Sequence, residues 1–153
     1  MRSLTLFFAT GAGTGYSPVG PGTAGSIPGL LLAWILFAPL WRYSWRDFIL
    51  VFGVLFAAAC WIADRAERIF GVRDDPRIVI DEVLGMVAAM FLIPTDWSHM
   101  ALGFGLFRLF DIIKPFPADL IDRRMPGGAA VMLDDLASAI YANLVGQALS
   151  RFI

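Results

Sequence analysis

Apolar residues run along this chain in long stretches, separated by short polar, glycine or proline-marked breaks, and each stretch is of helix length. The first runs from about Thr23 or Ser26 to Trp41, with Trp41 and Tyr43 suited to an interfacial aromatic belt. The second runs from about Asp47 to Ala63. A polar stretch, Asp64 to Arg77, follows with four arginines and closes on Asp74, Asp75 and Pro76, which are helix-start signals. It predicts a loop or an interfacial extension of the helix. A third apolar segment spans about Ile78 to Ile93, where Pro94 ends it, and a fourth about Met100 to Ile113, ended by Pro115 and Pro117. At about 1.5 Å per residue these two reach roughly 21 to 24 Å, so they read as tilted pieces or as segments that begin or end below one membrane surface. The last segment, about Ala129 to Leu149, is opened by Pro126, Gly127 and Gly128. Residues 1–10 hold one arginine and a short apolar run. A glycine loop follows where a removable signal would carry a small-residue cleavage site.

Composition fixes the class. With 58% apolar residues, 13 Phe and 5 Trp, the chain is expected to be an all-α integral membrane bundle of about five membrane segments, one domain over residues 1–153. A net charge of −1 without a continuous basic run argues against a nucleic-acid partner. The single Cys60 can form neither an internal disulfide nor a thiolate metal site, and reads as a small buried hydrophobe. Oligomeric state leaves no mark on the sequence.

Five carboxylates interrupt this apolar pattern: Asp81, Glu82, Asp111, Asp134 and Asp135. Each ionised carboxylate at the bilayer centre costs roughly 3 kcal/mol on insertion scales, so such groups are expected to be shallow, paired or metal-bound. With the amino terminus inside, Arg2, Arg65, Arg68, Arg73, Arg77, Lys114, Arg123 and Arg124 fall on the cytoplasmic side, against Arg42, Arg46 and Arg151 outside. That topology brings the glycine loop and all five acids to the cytoplasmic face. His99 falls at the other face and is expected to be interfacial. Arg108 and Asp111 share a helix face at a spacing of three, with Lys114 three further on.

Two cations against five carboxylates would repel a phosphate, whereas one or two Mg²⁺ would bring the cluster to about −1 or +1, and hard oxygen donors suit that ion. Zn²⁺ fits poorly beside one His and one Cys. The segment from Gly11 to Ser26 holds six glycines and leads into the first span; Thr23 or Ser26 at its cap would leave free amides for an anion. Glycine loops are often plain turns, and no Gly-Lys-Ser/Thr follows to make this a P-loop. Adjacent acids such as Asp134 and Asp135 often pair with a helix dipole. Here they lie six residues beyond Gly128 inside an apolar helix, where a functional role is the default.

The segments SPVGPGTAGS (17–26), DEVLGM (81–86), FRLFDIIKPFP (107–117) and DRRMPGGAAVMLDD (122–135), in this order, resemble the phosphatidylglycerophosphatase A family across nearly the whole chain. The resemblance implies a Mg²⁺-dependent phosphatase of the bacterial inner membrane that converts phosphatidylglycerophosphate to phosphatidylglycerol. It points to Asp81, Glu82, Asp111, Lys114, Asp122, Asp134 and Asp135, with Arg123 beside Asp122 as a second-rank candidate.

A phosphomonoesterase must stabilise charge on the phosphoryl oxygens and supply an in-line nucleophile. The chain has no Cys-x5-Arg loop, no Asp-x-Asp-x-Thr start and one His where a His-dependent lipid phosphatase would use two. The expected arrangement is metal on Asp81, Glu82, Asp134 and Asp135, with water the favoured nucleophile and direct attack by a carboxylate the alternative. Arg108, Lys114 and the loop residues Gly22, Thr23, Gly25 and Ser26 then hold phosphate. An alcohol phosphotransferase would need an Asp-Gly and Asp-x3-Asp pattern that is missing. A small cation or proton transporter is the other rival, and it would place its acids near mid-membrane with access from both sides.

Overall fold

The computed structural model describes residues 2–125 and 127–153, apart from the side chain of Asp122. Every regular element among them is helical. Helix α1 (Arg2–Ala9) leads into a loop in which Gly11, Ala12, Gly13 and Gly20 all adopt positive φ. Helix α2 (Pro21–Leu32) starts earlier than the expected Thr23 or Ser26 cap. Pro21 presets the first helical φ, Gly20 takes the cap position, and the buried Ser26 hydroxyl donates to the Gly22 carbonyl inside the helix (2.9 Å). The first-turn amides of Gly22 and Thr23 still lack intrahelical acceptors. The helix continues through a π-helical turn, Ala33–Phe37, into α3 (Ala38–Tyr43). That turn lies just before Pro39, whose ring would otherwise press on the preceding turn.

Ser44 is extended and accepts from the Asp47 amide, capping α4 (Trp45–Phe70). The polar stretch after Ala63 therefore divides: it stays helical to Phe70, stops at Gly71 in the left-handed conformation, and is loop from there. The Asp74-Asp75-Pro76 signal does not start the next helix. Asp75 accepts instead from the Arg77 amide (3.0 Å), Nε (2.7 Å) and a terminal nitrogen (2.6 Å), and these bonds hold its carboxyl below the usual carboxylate range. The loop is tied to the end of α1 by Val79 N–H donating to the Ala9 carbonyl (2.8 Å).

Helix α5 (Ile80–Ala89) is only 10 residues, about 15 Å, and ends well before Pro94. Side chains from a later helix take up carbonyls where it stops: Asn143 donates to Ala89 (3.0 Å) and Phe91 (2.6 Å), and Gln147 bonds Asn143 (2.8 Å). Helix α6 (Trp97–Ile113) is capped by Asp96, which accepts from the Ser98 and His99 amides and bonds the His99 ring (2.6 Å). Helix α7 (Ala118–Arg124), which the apolar pattern does not predict, precedes α8 (Gly128–Leu149).

Among the described residues three helices are long and apolar enough to cross a membrane: residues 21–43, 45–70 and 128–149. Of the five apolar segments expected, three are of spanning length, and α5 and α6 are short, as their spacing predicts. Helices α2, α5 and α8 run parallel: Gly22, Gly25 and Gly29 lie on Glu82, Val79 and Val83, and Gly85 lies near Asp135. Helix α6 runs the other way, Lys114 meeting Asp134 at one end and Leu106 lying near Gly146 toward the other. An aromatic cluster fills the far end, with Phe48 stacked on Phe91 (4.5 Å) and edge-on to Trp41 (5.4 Å). The N-termini of α2, α5 and α8 and the C-terminus of α6 thereby share one end of the bundle.

Candidate active site

Close packing of glycine builds the site. The Gly25 and Gly29 pair on α2, spaced by four, lets its backbone lie on Val79 and on the Val83 carbonyl of α5, leaving no room for side chains. One turn nearer the helix start, Gly22 abuts the Glu82 carboxylate and the Arg108 guanidinium. Asp81 and Glu82 occupy the first turn of α5, where the positive end of the helix dipole favours negative charge. On α8, Asp135 is turned toward them.

One oxygen each from Asp81, Glu82 and Asp135 lies within 4.8 Å of the other two. Asp81 and Asp135 are 6% and 4% exposed, so solvent does little to offset the repulsion among these three groups. Asp81 Oδ1, Glu82 Oε2 and Asp135 Oδ2 are buried and accept no hydrogen bond from any described group. Buried polar atoms of this kind are costly unless something else satisfies them. Three convergent hard oxygen donors with orphaned lone pairs fit a divalent cation such as Mg²⁺.

The two remaining acids are each matched to a cation. Asp134 Oδ2 meets Lys114 Nζ at 2.5 Å, and its Oδ1 accepts from the Asp135 amide (3.0 Å). Asp111 Oδ2 meets an Arg108 terminal nitrogen at 2.5 Å, while Arg108 Nε is buried without an acceptor among the described residues. Asp134 is therefore placed toward Lys114 and apart from the convergent trio. Thr23 lies exposed at the mouth of the site, while Gly25 and Ser26 are turned into the α2–α5 contact and the interior of α2. Arg123 is exposed and paired with Asp119 (2.6 Å), outside the cluster. The Asp122 side chain lies outside the described residues. His99 is twelve residues from Asp111 along α6, about 18 Å away. Sequence reasoning passed over Ser138, whose fully buried hydroxyl finds no partner among the described residues one turn beyond Asp134 and Asp135. A serine among alanines in an apolar helix carries no signal of its own.

Residues 7–150, which include every group of this cluster, match the family model described as phosphatidylglycerophosphatase A. A protein of that name from Haemophilus influenzae is 36% identical over 138 residues, covering 90% of this chain and 83% of the relative. The chain belongs to the phosphatidylglycerophosphatase A family. A phosphatidylglycerophosphatase A from Escherichia coli is 34% identical over 135 residues, 88% of this chain and 76% of the relative. A Bacteroides thetaiotaomicron protein, provisionally named a phosphatidylinositol-3-phosphatase, is 34% identical over 149 residues, 93% of this chain and 91% of the relative. No solved structure matches this phosphatidylglycerophosphatase A family member.

Proposed function

We propose that this chain is a Mg²⁺-dependent lipid phosphatase that removes the terminal phosphate of phosphatidylglycerophosphate at the cytoplasmic face of the bacterial inner membrane. The reading rests on the convergence of Asp81, Glu82 and Asp135, with orphaned oxygens, beside Arg108 and Lys114 at one end of an apolar bundle. A lipid phosphomonoester lies at headgroup level, where groups at a helix end can reach it. A cation transporter would instead spread its carboxylates toward mid-span.

Asp81, Glu82 and Asp135 are the residues that would hold Mg²⁺. When bound, the metal supplies Lewis-acid stabilisation of phosphoryl charge and lowers the pKa of water. Arg108, fixed by Asp111, presents its unused Nε to a phosphoryl oxygen. Lys114, held by Asp134, adds a second positive charge on the α6 side. The first-turn amides of Gly22 and Thr23 offer donors from the α2 side. A water oxygen forms the new bond to phosphorus as the ester P–O bond breaks. A carboxylate oxygen of the trio not engaged by the metal takes one proton from the water, and that proton passes to the departing glycerol oxygen, which leaves as the alcohol.

The test is inorganic phosphate release by the purified protein in detergent, with Mg²⁺ or EDTA, from phosphatidylglycerophosphate beside phosphatidic acid and phosphatidylinositol 3-phosphate. Release that needs Mg²⁺ and favours the first lipid is expected. Preference for the inositol lipid would transfer the assignment to that substrate. Cation flux through vesicles without phosphate release would establish the transporter instead.

A further inference from the structure

Helices α2 and α6 run antiparallel and are pinned together near both ends. At the site, a methyl group on Gly22 would come within 3.2 Å of both terminal nitrogens of Arg108. At the far end the Trp34 and Trp97 rings face each other, their centroids 6.4 Å apart. Between these pins the helices part. Ile27 on α2 is 51% exposed, Ala101 and Gly105 on α6 are exposed, and a Cβ built on Gly105 would meet no atom within 4 Å. Ala101, Gly105 and Arg108 share one face of α6 at spacings of four and three, and Ile27 on α2 and Trp34 in the π-helical turn that continues it share a face at a spacing of seven. The result is an apolar cleft, open sideways to the bilayer, with two indoles at one end and a guanidinium at the other.

Its length identifies what fits. From Trp97 to Arg108 is eleven residues, about 16 Å, close to half of the ~30 Å hydrocarbon core and hence to the reach of one leaflet's chains. The phosphate-handling groups set the direction, since Arg108, Lys114 and the acid trio that would hold Mg²⁺ all stand at the same end of the cleft. A larger apolar groove of about 650 Å³, lined by Phe8, Leu31, Leu55, Ile80 and Leu84, does not serve the same purpose. It lies on the other side of the α2–α5 contact, where Gly25 on Val79 and Gly29 on Val83 close it off from the carboxylates.

The geometry points to the α2–α6 cleft as the seat of an acyl chain of the lipid substrate, which enters laterally and carries its phosphate to Arg108 and the acid trio. This inference rests on the lipid-phosphatase reading of the site. Gly105 is then a specificity-determining residue, because a bulky side chain there occupies the path of the chain without touching the phosphate.

Two variants test it. Gly105→Trp fills the cleft, while Gly53→Trp on the lipid-facing side of α4, where a Cβ likewise meets nothing within 4 Å, controls for a new indole in an open position. For Gly105→Trp, the ratio of kcat/KM for long-chain over short-chain phosphatidylglycerophosphate is expected to fall about tenfold or more, with the ratio for Gly53→Trp unchanged. Equal loss on both chain lengths, or none, would overturn the cleft. A readout independent of turnover is photocrosslinking with phosphatidic acid carrying a diazirine at the chain end. Adducts concentrated on Ile27, Trp34, Trp97 and Ala101 support the cleft, and adducts spread evenly over the exposed Ile49, Leu50 and Val54 of α4 defeat it. Concentrated adducts from a protein that releases no phosphate would leave the cleft standing and remove the phosphatase reading.

Discussion

Gly22 contributes to the site by having no side chain. A methyl group at that position would land on the Glu82 carboxylate and crowd the Arg108 guanidinium, displacing a ligand of the acid trio and a phosphate donor together. Gly22→Ala is expected to lower kcat about 100-fold or more, on the scale of losing one transition-state donor. Its melting temperature in detergent should change little, because the atoms it meets are the far ends of flexible side chains. A variant with wild-type kcat would show that this contact is incidental. All five acids were legible in the sequence, since a charge inside an apolar run is conspicuous. Their division of labour was not. Whether Asp134 joins Asp135 or turns to Lys114 depends on how α8 is rotated against α6, and spacing within one helix carries no information on that.

Helix ends were read less well than helix centres, for physical reasons that differ from one end to the next. At α2, two good capping residues lost to a Gly-Pro pair that already fixes the backbone. At Asp75 a carboxylate suited to capping bonds the nearby arginine instead. The end of α5 is set from outside by Asn143, through bonds that local sequence cannot show. The α2–α5 contact is a property of the element as a whole, since the backbones approach where glycines stand. Replacing Gly29 with Leu would drive its side chain into the Val83 carbonyl and Met86, neither of which can withdraw without moving α5. Destabilisation of about 3 kcal/mol is expected. It should appear as a lower melting temperature and as loss of activity that tracks the unfolded fraction. A Gly29→Leu protein as stable as wild type would show that the helices pack differently.

At the scale of the whole molecule, three parallel helices bring their amino ends, and one antiparallel helix its carboxyl end, to a single patch that concentrates the acids. Folding therefore forces carboxylates together, and a bound cation should stabilise the native state. Mg²⁺ is expected to raise the melting temperature of the wild-type protein, by about 2.7 kcal/mol of stability at a hundredfold excess over its Kd. The gain should vanish in Asp135→Asn. An equal response in both proteins would place the cation elsewhere. Helix α8 sets the dimensions of this patch. Asp135 faces the first turn of α5, and Asn143, eight residues or about 12 Å further on, grips the carbonyls where α5 stops. The short helix is thus cut to a gauge carried by its long neighbour. Inserting one residue between these two positions would swing one of them about 100° away from α5, so the two helices can change length only in step.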